Sequence, residues 1–187
     1  LKSSLKIIIG IVVVLALIGI SLTGTYNSMV TKNEEVNAQW AMVESKLQRR
    51  FDLIPNLVES VKGIMNQEQE VFGKIADARS KMAGAQTTED RVAASNELEG
   101  ALGRLLVVME NYPQLRSAEN VTRLMDELAG TENRISVERD RYNAVVSDYN
   151  KFIQRFPRNM VAGAMGFDKK PYFEATAGAE NAPKVQF

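Results

Sequence analysis

The sequence predicts an all-α protein: an N-terminal transmembrane helix followed by an elongated antiparallel helical bundle. Three observations predict it. Ile7 to Tyr26 is a run of twenty residues without a charge. Apolar residues then recur every seven positions along two long stretches. No stretch alternates apolar and polar residues over the length of a strand. On this reading residues 1–26 are a transmembrane anchor, 27–157 a long-helix bundle domain and 158–187 a partly ordered tail. The 187 residues suffice for one domain of ordinary size.

The anchor is the clearest segment. Only Gly10, Gly19 and Ser21 interrupt the large apolar residues between Ile7 and Leu22. Twenty helical residues span about 30 Å, the thickness of a bilayer core. Tyr26 falls where an interfacial aromatic belongs. The run is long for a cleaved signal peptide, and Ser21 to Ser28 offers no A-x-A-like cleavage site. It has no polar face, as a helix buried in a globular core would. Lys2 and Lys6 precede the span, and Lys32 is the one basic residue in the fifteen positions after Tyr26. By the positive-inside rule this small bias puts the amino end in the cytoplasm and the bulk of the chain outside. The expected arrangement is a single pass through a membrane.

The first bundle element follows. Trp40, Leu47, Ile54, Val61, Ile75 and Met82 share one seven-residue row, with Glu68 its one polar member. Val43, Leu57, Ile64 and Val71 supply the row three positions on. Such a sustained repeat marks helices packed side by side. Pro55 interrupts the stretch, at a cost of about 3 kcal/mol in a helix interior. The repeat passes through it in phase, so a kink is expected there rather than a reversal. The helix is expected to continue directly out of the membrane, since no Gly-Pro break separates Tyr26 from Trp40.

Gly84 suits a helix end, and Thr87 or Thr88 a new cap, with Glu89 and Asp90 favourable at the positive end of the helix dipole. That second element runs to about Glu110 with Leu98, Leu102, Leu105 and Met109 inward, and Asn111-Tyr112-Pro113 stops it. Ser117 then caps a long third element with the cleanest repeat, Val121, Leu128, Ile135, Tyr142, Tyr149 and Phe156 spaced by seven. Leu124, Val145 and Phe152 fill the adjoining row, and Thr131 and Glu138 weaken its middle. Met125, Val146 and Ile153 broaden the apolar face, as a wide core stripe or as a surface for self-assembly. The helix should end near Phe156-Pro157. The tail carries Met160, Met165, Phe167, Tyr172 and Phe173, too many large apolar residues for a fully disordered segment, so part of it is expected to pack back.

Composition excludes much chemistry. Twenty-three basic residues balance twenty-three acidic ones, which argues against nucleic acid as a partner. There is no histidine and no cysteine. The usual zinc sites, the Ser-His-Asp triad, the Cys-His pair and the Glu-x-x-His di-iron motif are therefore excluded. No phosphate-binding G-x-x-x-x-G-K-[ST] occurs, and Gly163-Ala164-Met165-Gly166 does not follow a strand. Glu68 with Glu70 and Glu34 with Glu35 are the carboxylate pairs. Neighbours one or two apart on a helix diverge, so solvated faces are the better reading. Glu68, on the apolar row, reads as a partner for Arg or Lys on a facing helix. Arg49-Arg50 sits about 35 Å along the helix from Tyr26, beyond electrostatic reach of lipid phosphate, and reads as ordinary surface. The methionines fall mostly on core rows. No catalytic, cofactor-binding or metal-ligating residue is expected.

Several stretches are similar to the LemA family. They are Asn37-Ala38-Gln39-Trp40, Gln48-Arg49-Arg50-Phe51-Asp52-Leu53-Ile54-Pro55-Asn56-Leu57-Val58, Ala101-Leu102-Gly103-Arg104-Leu105 and Glu110-Asn111-Tyr112-Pro113. Leu128-Ala129-Gly130-Thr131-Glu132-Asn133-Arg134-Ile135, Arg155-Phe156-Pro157 and Lys170-Pro171-Tyr172-Phe173 extend the likeness over nearly the whole chain. The resemblance implies a bacterial protein with a membrane helix and a helical-bundle domain, and no activity, cofactor or catalytic residue. It implies an association with an HtpX-type membrane zinc protease, and a domain on the cytoplasmic side, opposite to the charge count.

The expected function is thus a non-catalytic, membrane-anchored helical scaffold, with envelope proteostasis as its setting. A self-assembling homo-oligomeric structural protein and a carboxylate- or calcium-dependent enzyme are the alternatives. Its expected partners are the lipid bilayer, through Ile7 to Tyr26, copies of itself, and an HtpX-type protease or a PDZ-containing protein. PDZ domains capture ends such as Ala182-Pro183-Lys184-Val185-Gln186-Phe187, where Val185 and Phe187 would bind as an added strand. The competing expectation is that Val185 and Phe187 dock on the protein's own bundle or on a neighbouring copy.

Overall fold

The computed structural model describes residues 2–174. They contain six helices and no strand: α1 (Lys2–Lys62), α2 (Gln69–Gly84), α3 (Thr88–Met109), the single turn α4 (Pro113–Arg116), α5 (Glu119–Gln154) and α6 (Arg158–Met165). The all-α helical bundle is what the seven-residue rows predict. The chain divides into two compact units. One joins Leu1–Trp40 to Tyr142–Lys170, and the other holds Ala41–Arg141 with the segment from Pro171.

In the first unit α1 and α5 run antiparallel. Trp40 packs on Tyr142 with ring centroids 5.3 Å apart, and further along Lys32 lies over the Phe152 ring at 5.6 Å. Met29 and Val36 from α1 are buried with Tyr142, Val146, Tyr149 and Ile153 from α5 and Ala162 from α6. Val146 and Ile153, which widen the apolar face of α5, are thus core residues. Towards its amino end α1 is bare: from Leu5 to Leu22 every large apolar side chain is exposed. This is the one described helix long and apolar enough to cross a membrane.

The second unit is built on a core of Ile54, Leu57, Val61 and Met65, Ile75 and Ala78 of α2, Leu98, Leu102 and Leu105 of α3, then Leu115 and Val121. The helix passes through Pro55 without ending. Leu53, Ile54 and Leu57 around it are buried, and each buried aliphatic side chain contributes about 1.5–3 kcal/mol, enough to offset the lost hydrogen bond.

The break comes instead at residues 63–68, where the seven-residue row still reads through. Gly63 follows the last helical residue, and Ile64 and Met65 both donate to the carbonyl of Val61, which tightens and closes the helix. Ile64, placed on a core row by its spacing, is consequently exposed, while Met65 takes the buried position. α2 ends at Gly84 as expected, and Thr87 caps α3 by accepting from the Asp90 amide at 3.1 Å. Ser117 belongs to the close of α4. The first amides of α5, Val121 and Thr122, donate to the carbonyl of Ala118.

α5 stops at Gln154, two residues before its last expected core position, and Phe156 is 80% exposed rather than buried. Beyond it α6 ends on Gly166, whose φ of 75° lets the Phe167 amide turn back to the Ala162 carbonyl at 3.0 Å. Asn150, buried on α5, then holds both backbone groups of Lys170: its Nδ2 donates to the Lys170 carbonyl and its Oδ1 accepts from the Lys170 amide, each at 2.9 Å. In the second unit Phe173 is buried beneath the Arg139 guanidinium, 4.5 Å from its ring centre, and the Glu174 carbonyl accepts from Asn96 at 3.3 Å. The segment from Arg158 therefore packs onto the helices as far as residue 174.

Candidate functional site

The charged cluster most enclosed by protein centres on Arg50, which is 1% exposed. α1 carries the arginine inward because residue 50 lies seven positions after Val43 and seven before Leu57, on the second apolar row. Its Nη1 donates to Glu132 Oε2 on α5 at 2.7 Å and faces Glu99 Oε2 on α3 at 3.9 Å. Its Nη2 donates to the Ser95 carbonyl at 3.2 Å and to the Ser95 hydroxyl. Arg139 approaches Glu99 Oε2 at 3.6 Å, so two guanidinium groups face two carboxylates. The expectation that Arg49-Arg50 is ordinary surface is corrected for Arg50. It holds for Arg49, which is exposed and pairs with Glu127. The signal was legible: Arg50 stands on the core row that Val43 and Leu57 define.

Arg50, Glu99 and Glu132 form the polar end of a cavity of about 390 Å³ between α1, α3 and α5. Leu57, Leu102, Leu106, Met125 and Leu128 line the rest. The size is that of a small-molecule pocket, but the polar end is already neutralised. The larger cavity between α1 and α5, about 610 Å³, is lined by Lys46, Arg49 and Arg134 against Asp52, Asp126 and Glu127, which also balance. Both arrangements join helices.

The carboxylate pairs singled out by sequence are not brought together. Glu68 accepts from the Tyr112 hydroxyl at 3.0 Å, so its partner is a phenol rather than the expected Arg or Lys. That bond raises the Tyr112 pKa above its ordinary value. Glu70 pairs with Lys74, whose hydrogen bond and charge lower its pKa. Glu34 accepts from Asn37 and Glu35 pairs with Lys32. Among the described residues no three Asp or Glu side chains converge as a metal site would require. Val185 and Phe187 lie outside the described residues.

A bare apolar helix followed by helices clasped through charge-balanced polar contacts defines a class: helical proteins organised around one long N-terminal helix. Within it the chain belongs to the LemA family, whose model matches residues 39–187. It is similar to the magnetosome proteins MamQ 2 and MamQ 1 of Paramagnetospirillum magneticum. Each is 30% identical over 193 residues, covering 89% of this chain and 71% of the relative. It is also similar to Protein LemA of Metamycoplasma hominis, 23% identical over 154 residues, covering 82% of this chain and 70% of the relative.

Proposed function

We propose that this chain is a non-catalytic scaffold anchored in a membrane by residues 7–26, displaying a helical surface beside the bilayer. One observation carries the reading. The exposed apolar run and the core residues Met29 and Val36 belong to one unbroken helix, so the segment suited to lipid leads directly into packed protein. The two cavities are compatible with the non-catalytic part, because Glu127 in one and Glu99 and Glu132 in the other face arginines.

The proposed setting is envelope proteostasis beside a membrane protease of the HtpX type, with the helical domain outside the cytoplasm. Titrating the full chain in mild detergent with Ca²⁺ or Zn²⁺ tests the function class. A scaffold shows no saturable heat and no rise in melting temperature. A saturable metal site that shifts melting would favour the carboxylate enzyme instead. Ser117→Cys, on an exposed position of a chain without cysteine, tests orientation with an impermeant thiol reagent. Labelling of spheroplasts without permeabilisation is expected, and labelling only after permeabilisation reverses the assignment.

A further inference from the structure

α6 carries an apolar surface that nothing else in the described chain covers. Phe156, just ahead of it, is 80% exposed, Met160 68% and Met165 59%. Several large apolar side chains this exposed on one short segment mark an interaction surface.

Position says with what. The antiparallel register of α1 and α5 pairs Lys32 with Phe152. Six residues towards the amino end from Lys32 is Tyr26, and six beyond Phe152 is Arg158, where α6 begins. The end of α5 and the start of α6 thus come level with the end of the apolar run. Direct contacts fix both ends of the segment there. The Arg158 guanidinium lies over Phe152 at 4.1 Å, and Phe167 packs edge-on against Tyr26 with ring centroids 5.7 Å apart. Charge points the same way. Lys151, Arg155, Arg158, Lys169 and Lys170 stand against the single acid Asp168 between residues 151 and 170.

We propose that α6, with Phe156, is a second membrane contact. It is a short interfacial segment that sets Phe156, Met160 and Met165 into the boundary between headgroups and acyl chains beside the span. The neighbouring basic side chains reach lipid phosphates. The surface is continuous with the lipid-facing run through Tyr26 and Phe167. A second copy of the chain is a poorer occupant, because it would bring the same basic cluster against itself. Methionine suits the role, since its flexible thioether adapts to a fluid surface.

The inference rests on the reading that residues 7–26 span the bilayer, and one experiment separates the two. The full chain, as Leu15→Cys, Met160→Cys or Val137→Cys, is spin-labelled in vesicles of phosphatidylethanolamine and phosphatidylglycerol. Collisions with oxygen and with a water-soluble nickel chelate are then measured. The Leu15 label is expected in the oxygen-rich bilayer core and the Val137 label in water. The Met160 label should keep oxygen access and lose most of the nickel-chelate access seen at Val137. A water-exposed label at Met160 with Leu15 still in lipid overturns the second contact alone. Loss of access to both reagents at Met160 means protein covers it, and also overturns the proposal. A water-exposed label at Leu15 overturns the spanning reading, and the second contact with it.

Discussion

The guanidinium of Arg50 donates to the carboxylate of Glu132 across 2.7 Å, tying α1 to α5 from a position where the arginine is 1% exposed. The two partners are unequally placed: the Glu132 and Glu99 side chains are each 38% exposed. Water can therefore compensate Glu132 but not the arginine.

This asymmetry sets the order of mutational costs. Glu132→Gln leaves a buried cation with Glu99 at 3.9 Å as its nearest acid, and should destabilise the protein by about 3 kcal/mol, the low end for breaking a buried pair. Arg50→Met keeps much of the volume and leaves Glu132 partly hydrated and Glu99 facing Arg139 at 3.6 Å, so it should cost less. Chemical denaturation of the full chain in mild detergent measures both. A larger loss for Arg50→Met would show that the arginine acts mainly through its hydrogen bonds to Ser95.

Asn150→Ala should release the segment that follows α6. Two hydrogen bonds to the backbone of Lys170 are lost, together worth about 1–3 kcal/mol. Trypsin should then cleave after Lys169 markedly faster, while helical circular dichroism is retained; the bond after Lys170 is protected by Pro171. Unchanged cleavage would mean that the packing of Phe167 and Phe173 alone holds the segment.

Burial pushes the Tyr149 phenol above its ordinary pKa, and the charge of Asp168 adds to this. The unfolded phenol ionises near pH 10 while the folded one resists. Stability is thus fully present below the unfolded pKa and falls as pH rises from there through the folded value. The Tyr149 hydroxyl is also buried without a hydrogen-bond partner. Tyr149→Phe should therefore leave the neutral-pH melting temperature unchanged or raised, and should weaken the alkaline loss. A marked drop at neutral pH would assign the hydroxyl a stabilising partner.

Thr87→Ala removes the side chain that accepts from the Asp90 amide, and should cost about 1 kcal/mol at the start of α3. Thr87→Asp keeps an acceptor and should restore most of that loss. Equal destabilisation by both would move the cap's contribution elsewhere.

Much of this architecture is written in short-range chemistry. The apolar run, the Gly84 stop, the Thr87 cap and the rows that bury Leu98, Ile135 and Tyr142 are each local signals, and the structure follows them. Where sequence and structure differ, one cause recurs: a seven-residue row continues numerically across a break, which hides residues 63–68 inside it and carries Phe156 past the end of α5. Helix continuity at Pro55, by contrast, depends on burial that only tertiary packing supplies. Arg50 was legible by position but not by residue type. An arginine on a core row demands distant acids, and Glu99 and Glu132 lie far along the chain on other helices.

On the proposed reading, α1 inserts its bare apolar run into lipid, and this run is the principal anchor. Alkaline carbonate extraction of membranes bearing either the full chain or a chain lacking residues 1–26 decides this. The full chain is expected to stay in the membrane pellet. The shortened chain should retain its helical circular dichroism and be stripped into the supernatant, because α6 alone offers only a peripheral contact. Release of the full chain by carbonate, or retention of a folded shortened chain in the pellet, would contradict it.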